Sequence, residues 1–188
     1  MKKPVIIGLA LGAIGAVLLS RKEESKVSIP PSSTPPRSTG TEAPGVARSM
    51  GLIGQLDERV QAMAIQLLRA AHEQGIDLFV ANGYRSIEDQ DKLYKQGRDP
   101  NYPGPIVTHA PGGWSWHEYR RAFDVAVIGN NQAERYPNNP ALWHRIGQIG
   151  KSVGLEWGGD YTTVQPDLPH FEYHPGLTIQ DARAGRIV

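Results

Sequence analysis

The chain has 188 residues, with 20 Lys and Arg against 19 Asp and Glu, and no cysteine. That length suits one well-buried domain with some chain to spare, and without thiols there is neither a disulfide framework nor a thiolate-held metal, so any metal must sit on His and carboxylate. Residues 1–50 carry seven basic against three acidic side chains and residues 51–188 thirteen against sixteen; a slightly acidic body argues against nucleic acid as a partner.

The first element is an apolar run from Pro4 to Ser20 behind Lys2 and Lys3. About 17 residues is the short end of a bilayer span and also suits a secretory signal. No small-residue cleavage pattern follows, and Arg21 and Lys22 close the run directly. It also lacks the polar face of an ordinary packed helix. An uncleaved membrane anchor over residues 1–22 is therefore expected. The weak excess of positive charge at its start predicts a single-pass inner-membrane protein with its domain on the extracytoplasmic, periplasmic side, or a virion-associated one. Residues 23–48, rich in Pro, Ser and Thr, read as a tether that cannot bury enough surface to order itself. The globular domain is expected over residues 49–188.

Within the domain, apolar residues at Val60, Met63, Ala64, Leu67, Leu68 and Ala71 predict a helix over 57–74 closed by Gly75. IDLFVANGYRS follows as a short strand ending at Gly83, and Ser86 caps a second helix running to Gly97. Residues 98–116, with four Pro and three Gly, predict a long ordered loop of the kind that tends to be functional. In AFDVAVI, Ala122, Asp124 and Ala126 share one strand face, with Phe123, Val125 and Val127 on the other. A third helix is expected over 140–153, with Gly154 closing it. A Gly-rich corner at GGDY then leads to Pro169, which biases Leu168 to extended geometry, and to a strand opening at His170. On that strand His170 and Glu172 face one way, Phe171 and Tyr173 the other.

Asp124 and His170 thus each stand opposite the bulky residues of their strands, and His117 arrives from the preceding loop. Three protein ligands leave a fourth tetrahedral position of zinc open, the catalytic pattern. The competing account makes His117 and His170 ordinary strand-edge histidines and pairs Asp124 with Arg120 or Arg121.

The blocks GYRS, GPIVTHAPGGWSWHEYRRAFDVAV and GLEWGGDY followed by DLPHFEY, in that order over about residues 52 to 180, resemble the zinc peptidases of bacterial cell-wall peptides. These comprise D-alanyl-D-alanine carboxypeptidases and, more similar here, the L-alanyl-D-glutamate endopeptidases of phage lysins and autolysins. The resemblance implies an α+β fold, a small antiparallel sheet with packed helices like that of D,D-peptidases and Hedgehog domains. It implies Zn held by His117, Asp124 and His170, Asp167 as the catalytic carboxylate, and Arg85 as a substrate-orienting or oxyanion-stabilising group. The expected activity is bacteriolytic cleavage of peptidoglycan stem peptides by a monomer of the endolysin type. The alternatives are a D,D-carboxypeptidase on the same site, or a catalytically silent envelope or virion module. Arg120 stands where the family motif has glycine, a position that often needs φ > 0.

Of the remaining candidates, His109, His144 and His174 read as surface or loop residues, with His174 the reserve ligand. Asp160 lines the cleft or caps a turn. Trp114, Trp116 and Trp157 wall a groove or pack a core. Ser115 reads as a neighbour of the metal site rather than a nucleophile, since no G-x-S-x-G elbow surrounds it.

Overall fold

The computed structural model describes residues 42–129, 133, 134 and 136–187. The expected anchor and most of the expected tether lie outside these residues. Among the described residues, no helix is long and apolar enough to cross a membrane.

Helix α1 (Pro44–Ile53) begins inside the stretch expected to be linker through residue 48. Its ordering comes from packing: Ala43, Val46 and Ile53 enter the core, and buried Ser49 accepts the Val80 N–H at 2.8 Å while donating to the Gly45 carbonyl at 2.6 Å. Gly45 lets the helix lie against strand backbone, since a Cβ there would collide with the Leu78 carbonyl. No side chain caps the helix start, so the local sequence carries little helical signal and the contact with the sheet supplies the rest.

Helix α2 (Glu58–Glu73) follows the periodic stripe, with Val60, Ala64, Leu67, Leu68 and Ala71 buried and the Asp57 side chain accepting the Arg59 N–H. Truncating either fully buried leucine would cost about 2–5 kcal/mol. Strand β1 (Leu78–Asn82) and helix α3 (Ile87–Lys95), capped by the Ser86 side chain on the Asp89 N–H, fall where the sequence places them. Strand β2 (Ala122–Ile128), the short β3 (Ala133–Glu134), helix α4 (Pro140–Ser152), β4 (Glu156–Trp157), β5 (His170–Glu172) and helix α5 (Ile179–Arg183) complete the order.

The strands form an antiparallel sheet in the order β1-β2-β5-β4, with β3 on β2, so the expected α+β architecture holds. Phe123 and Phe171 are cross-strand partners whose rings stack on the helix side, with centroids 6.0 Å apart. Helix α4 packs close to them because Gly150 faces the Phe171 ring, where a Cβ would clash. On the opposite face the same register sets Asn82 beside Asp124 and Asp124 beside His170, a row of polar groups across three strands. An irregularity in the β1–β2 pairing lies between Val80 and Asn82, next to that row; such bulges re-aim side chains.

Candidate metal centre

His117 reaches the row from a 3₁₀ turn over Trp116–Tyr119 that leads into β2. Its Nε2 lies 3.3 Å from His170 Nδ1 and 3.4 Å from Asp124 Oδ1, and His170 Nδ1 lies 3.1 Å from the same oxygen. Donor atoms of a tetrahedral zinc with bonds of about 2.0–2.1 Å stand roughly 3.3–3.4 Å apart, so this triangle fits such an ion. The far side of each ring sharpens the fit. His117 Nδ1 faces the Gly83 carbonyl at 2.7 Å and His170 Nε2 faces Glu172 Oε2 at 3.0 Å. Both acceptors take a ring N–H, which leaves two imidazole lone pairs and one carboxylate oxygen converging on a single point. Three acceptors facing one another need a cation or a proton between them.

The protonation tendencies agree. Burial alone would raise the Asp124 carboxyl, but the charge of His117 and hydrogen bonds from His117 and His170 outweigh it and hold Asp124 well below the carboxylate range. Burial opposes a proton on His170, yet the carboxylates of Asp124 and Glu172 push it up to about 10. A metal ion would take the place of that proton, so binding releases protons and weakens as pH falls. Neither arginine of the competing account turns to Asp124. Arg120 donates to the Gln55 carbonyl and lies over the Tyr84 ring at 4.1 Å, and Arg121 points to Asp57 at 3.8 Å. Asp124 instead accepts from Asn82 Nδ2 at 3.0 Å.

Asp167 stands beside the triangle on the chain segment before β5, not on the strand face. The chain turns tightly over Leu168 and Pro169, closed by the His170 N–H on the Asp167 carbonyl at 3.2 Å, rather than running extended through Leu168. Desolvation by neighbouring groups raises the Asp167 carboxyl above its ordinary value; His170 works against that shift, and Asp124 adds to it. Arg85 also lowers it, which places the guanidinium within electrostatic reach. Arg85 Nη1 is held at 2.7 Å by Gln90 Oε1, and buried Gln90 in turn donates to the Ala110 carbonyl at 2.7 Å. The long loop and the Arg85 corner are thereby tied together.

Arg120 has φ +63°, the left-handed conformation that the glycine of the motif supplies without cost. Trp157 belongs to the core and His109 and His144 are exposed, while Asp160 pairs with Lys151 at 2.7 Å. Exposed Trp114 sits under the Arg183 guanidinium, and the Ser115 N–H bonds Glu118 Oε2 at 2.8 Å. His174, expected at the surface, is instead mostly buried, stacked on Trp116 with centroids 4.2 Å apart. Sequence reasoning misses Asn82, Gln90 and the role of Glu172. Only Glu172 leaves a trace, through its shared face with His170.

Comparison with known proteins places this arrangement. A family model of M15 peptidases, described as D-alanyl-D-alanine carboxypeptidase, matches residues 108–173, the stretch that holds His117, Asp124, Asp167 and His170. The peptidoglycan L-alanyl-D-glutamate endopeptidase CwlK of Bacillus subtilis (strain 168) is 37% identical over 135 residues, covering 68% of this chain and 79% of that protein. Solved structures similar to the chain include the L-Ala D-Glu endopeptidase ChiX of Serratia marcescens, at 19% identity and TM-score 0.48 over 73% of this chain and 92% of that one. Another is the vancomycin resistance D,D-pentapeptidase VanY from a VanB-type cassette in complex with Zn(II), at 20% identity and TM-score 0.49 over 69% and 76%. On its identity to the Bacillus protein and its match to the family model, the chain belongs to the M15 peptidases.

Proposed function

We propose that the chain is a zinc-dependent endopeptidase that hydrolyses the L-alanyl-D-glutamate bond of peptidoglycan stem peptides. The observation that carries this is the convergence of His117 Nε2, Asp124 Oδ1 and His170 Nδ1, each ring committed on its far side, beside a carboxylate that is no part of the triangle. The choice of bond is supported by the activity in the name of the Bacillus relative.

When bound, zinc supplies Lewis acidity to water and to the scissile carbonyl. Asp167 acts as general base on the attacking water and then, protonated, as general acid toward the departing D-glutamate amine; its raised proton affinity suits both steps. Arg85, fixed by Gln90, adds positive charge where the carbonyl oxygen becomes anionic. Asn82 and Gly83 hold Asp124 and His117 in place. The domain works at the end of its N-terminal tether, outside the cytoplasmic membrane.

Mass spectrometry of purified peptidoglycan treated with the full-length protein tests the assignment. New D-glutamate amino termini with L-alanine carboxyl termini are expected. The description of the family model favours a second reading, a D,D-carboxypeptidase, for which free D-alanine would be the product. A zinc-loaded protein that releases neither would contradict both and leave the silent envelope module.

A further inference from the structure

Glu172 is a buried carboxylate, 7% exposed, that takes no part in the hydrolytic steps proposed above. It stands two residues after His170 on β5 and therefore on the same face. Across the sheet its partners are the small, buried Ala122 on one side and Glu156 on the other. Its two oxygens face different histidines: Oε2 is 3.0 Å from His170 Nε2, and Oε1 is 3.1 Å from His174 Nε2. Burial and the nearby Glu172 charge raise the Tyr161 hydroxyl above its ordinary value, so that group stays protonated beside the carboxylate. A buried charge with that many donors is held in one orientation.

His174 is fixed in its turn. Its Nδ1 faces the Leu177 carbonyl at 3.2 Å, and its ring stacks on Trp116 with planes 7° apart. Trp116 directly precedes His117 in the same 3₁₀ turn. The contacts thus run from the turn carrying one histidine of the triangle, through Trp116, His174 and Glu172, to the other. Glu156, Glu172 and His174 also lie close enough to resemble a metal trio. In that trio His174 Nδ1 faces the Leu177 carbonyl and Nε2 faces Glu172, and the other two members are carboxylates, so it lacks the second imidazole of the triangle.

We propose that Glu172 is a positioning residue for the metal centre: it holds His170 rotated and protonated at Nε2, so that Nδ1 faces the ion, and His174 clamped on Trp116 holds Glu172. A neutral imidazole can carry its proton on either nitrogen and can flip about its bond to Cβ. An acceptor at Nε2 removes both freedoms before the ion arrives. The inference rests on the assignment of His117, Asp124 and His170 as zinc ligands.

The test uses the purified full-length chain in detergent. Zinc affinity is measured by competition with a chromophoric chelator at constant pH, alongside circular dichroism of the zinc-free protein. Glu172→Ala is expected to weaken zinc binding by about 10–100-fold, and Glu172→Gln, which keeps a carbonyl acceptor, to recover most of that loss. In ¹⁵N-histidine spectra of the zinc-loaded wild type, His170 is expected to carry its proton on Nε2 and the metal on Nδ1. This last readout decides the matter even if Glu172→Ala does not fold. Wild-type zinc affinity in folded Glu172→Ala, or zinc on His170 Nε2, would overturn the proposal alone. Failure of the wild type to bind zinc would overturn the ligand assignment and the proposal together.

Discussion

Two clusters of histidine and carboxylate meet at β5, and they differ in make-up: the first sets two imidazoles on one carboxylate, the second one imidazole between two carboxylates. In the first, His117 and His170 give their N–H groups outward to Gly83 and Glu172 and turn lone pairs inward with Asp124. In the second, His174 Nδ1 faces the Leu177 carbonyl and Nε2 faces Glu172, with Glu156 at 3.6 Å. The first set brings two imidazole nitrogens onto one carboxylate oxygen and needs a cation or proton at its centre; in the second, one imidazole stands between two carboxylates, which raise its affinity for a proton. Residue type and proximity therefore do not define a metal site. What surrounds the ligands decides it, and Glu172 belongs to both sets because it is the acceptor that separates them.

Removing a ligand from the first cluster should have the largest effect. His117→Ala and His170→Ala are each expected to lose stoichiometric zinc and all measurable peptidoglycan turnover, since a three-ligand site cannot spare one. Metal analysis of the dialysed proteins checks this, and full zinc retention in either variant would erase the contrast between the clusters.

In the second cluster the expected effect is one of pH. Burial disfavours a proton on His174, but its bond to Glu172 and the charges of Glu172 and Glu156 raise its affinity for one. A raised histidine contributes stability that is fully present below its unfolded pKa of about 6.5 and lost as pH rises through the folded value. The gap in thermal stability between zinc-free wild type and His174→Gln should be widest near pH 6 and should narrow through the alkaline range. A gap that grows with pH would show that His174 is held neutral.

The smallest change is expected at Arg120, next to the first cluster but outside it. Arg120→Gly relieves a left-handed φ of +63° and removes the guanidinium from Gln55 and Tyr84. The two effects oppose, so stability should move by no more than about 1 kcal/mol with zinc content unchanged. Urea melts and metal analysis check both, and loss of zinc in this variant would tie the arginine to the metal centre.

The same contrast accounts for what the sequence could show. His117, Asp124 and His170 are legible because strand alternation puts Asp124 and His170 opposite bulky Phe123 and Phe171, and because the motif order is specific. Arg120 is legible as a glycine substitute, and its left-handed φ follows. Helix α1 is not, since PGVARSMGLI has no capping side chain, includes Gly45 and Gly51, buries the polar Ser49, and packs on β1. Gln90 and Asn82 escape for a related reason: their partners, Ala110 and Asp124, come from distant segments. His174 looks like a surface residue because nothing near it in sequence reveals that Trp116 covers its ring. The sequence does place Glu172 on the His170 face, but only the ring orientation seen in three dimensions turns that into a role. Topology is a separate matter: the anchor expected from the sequence of residues 1–22 predicts that full-length protein fractionates with the inner membrane and is cleaved by protease added from the periplasmic side. A soluble form starting near Ser20 would contradict it.

The division of labour between Asp124, inside the triangle, and Asp167, outside it, is tested most directly by zinc stoichiometry measured together with turnover in Asp124→Asn and Asp167→Asn. Asp167→Asn should keep one zinc per chain while kcat falls by about 10²–10⁴, because the amide cannot take the proton of water. Asp124→Asn should lose zinc and activity together. The opposite pattern, metal lost from Asp167→Asn and kept by Asp124→Asn, would contradict the account.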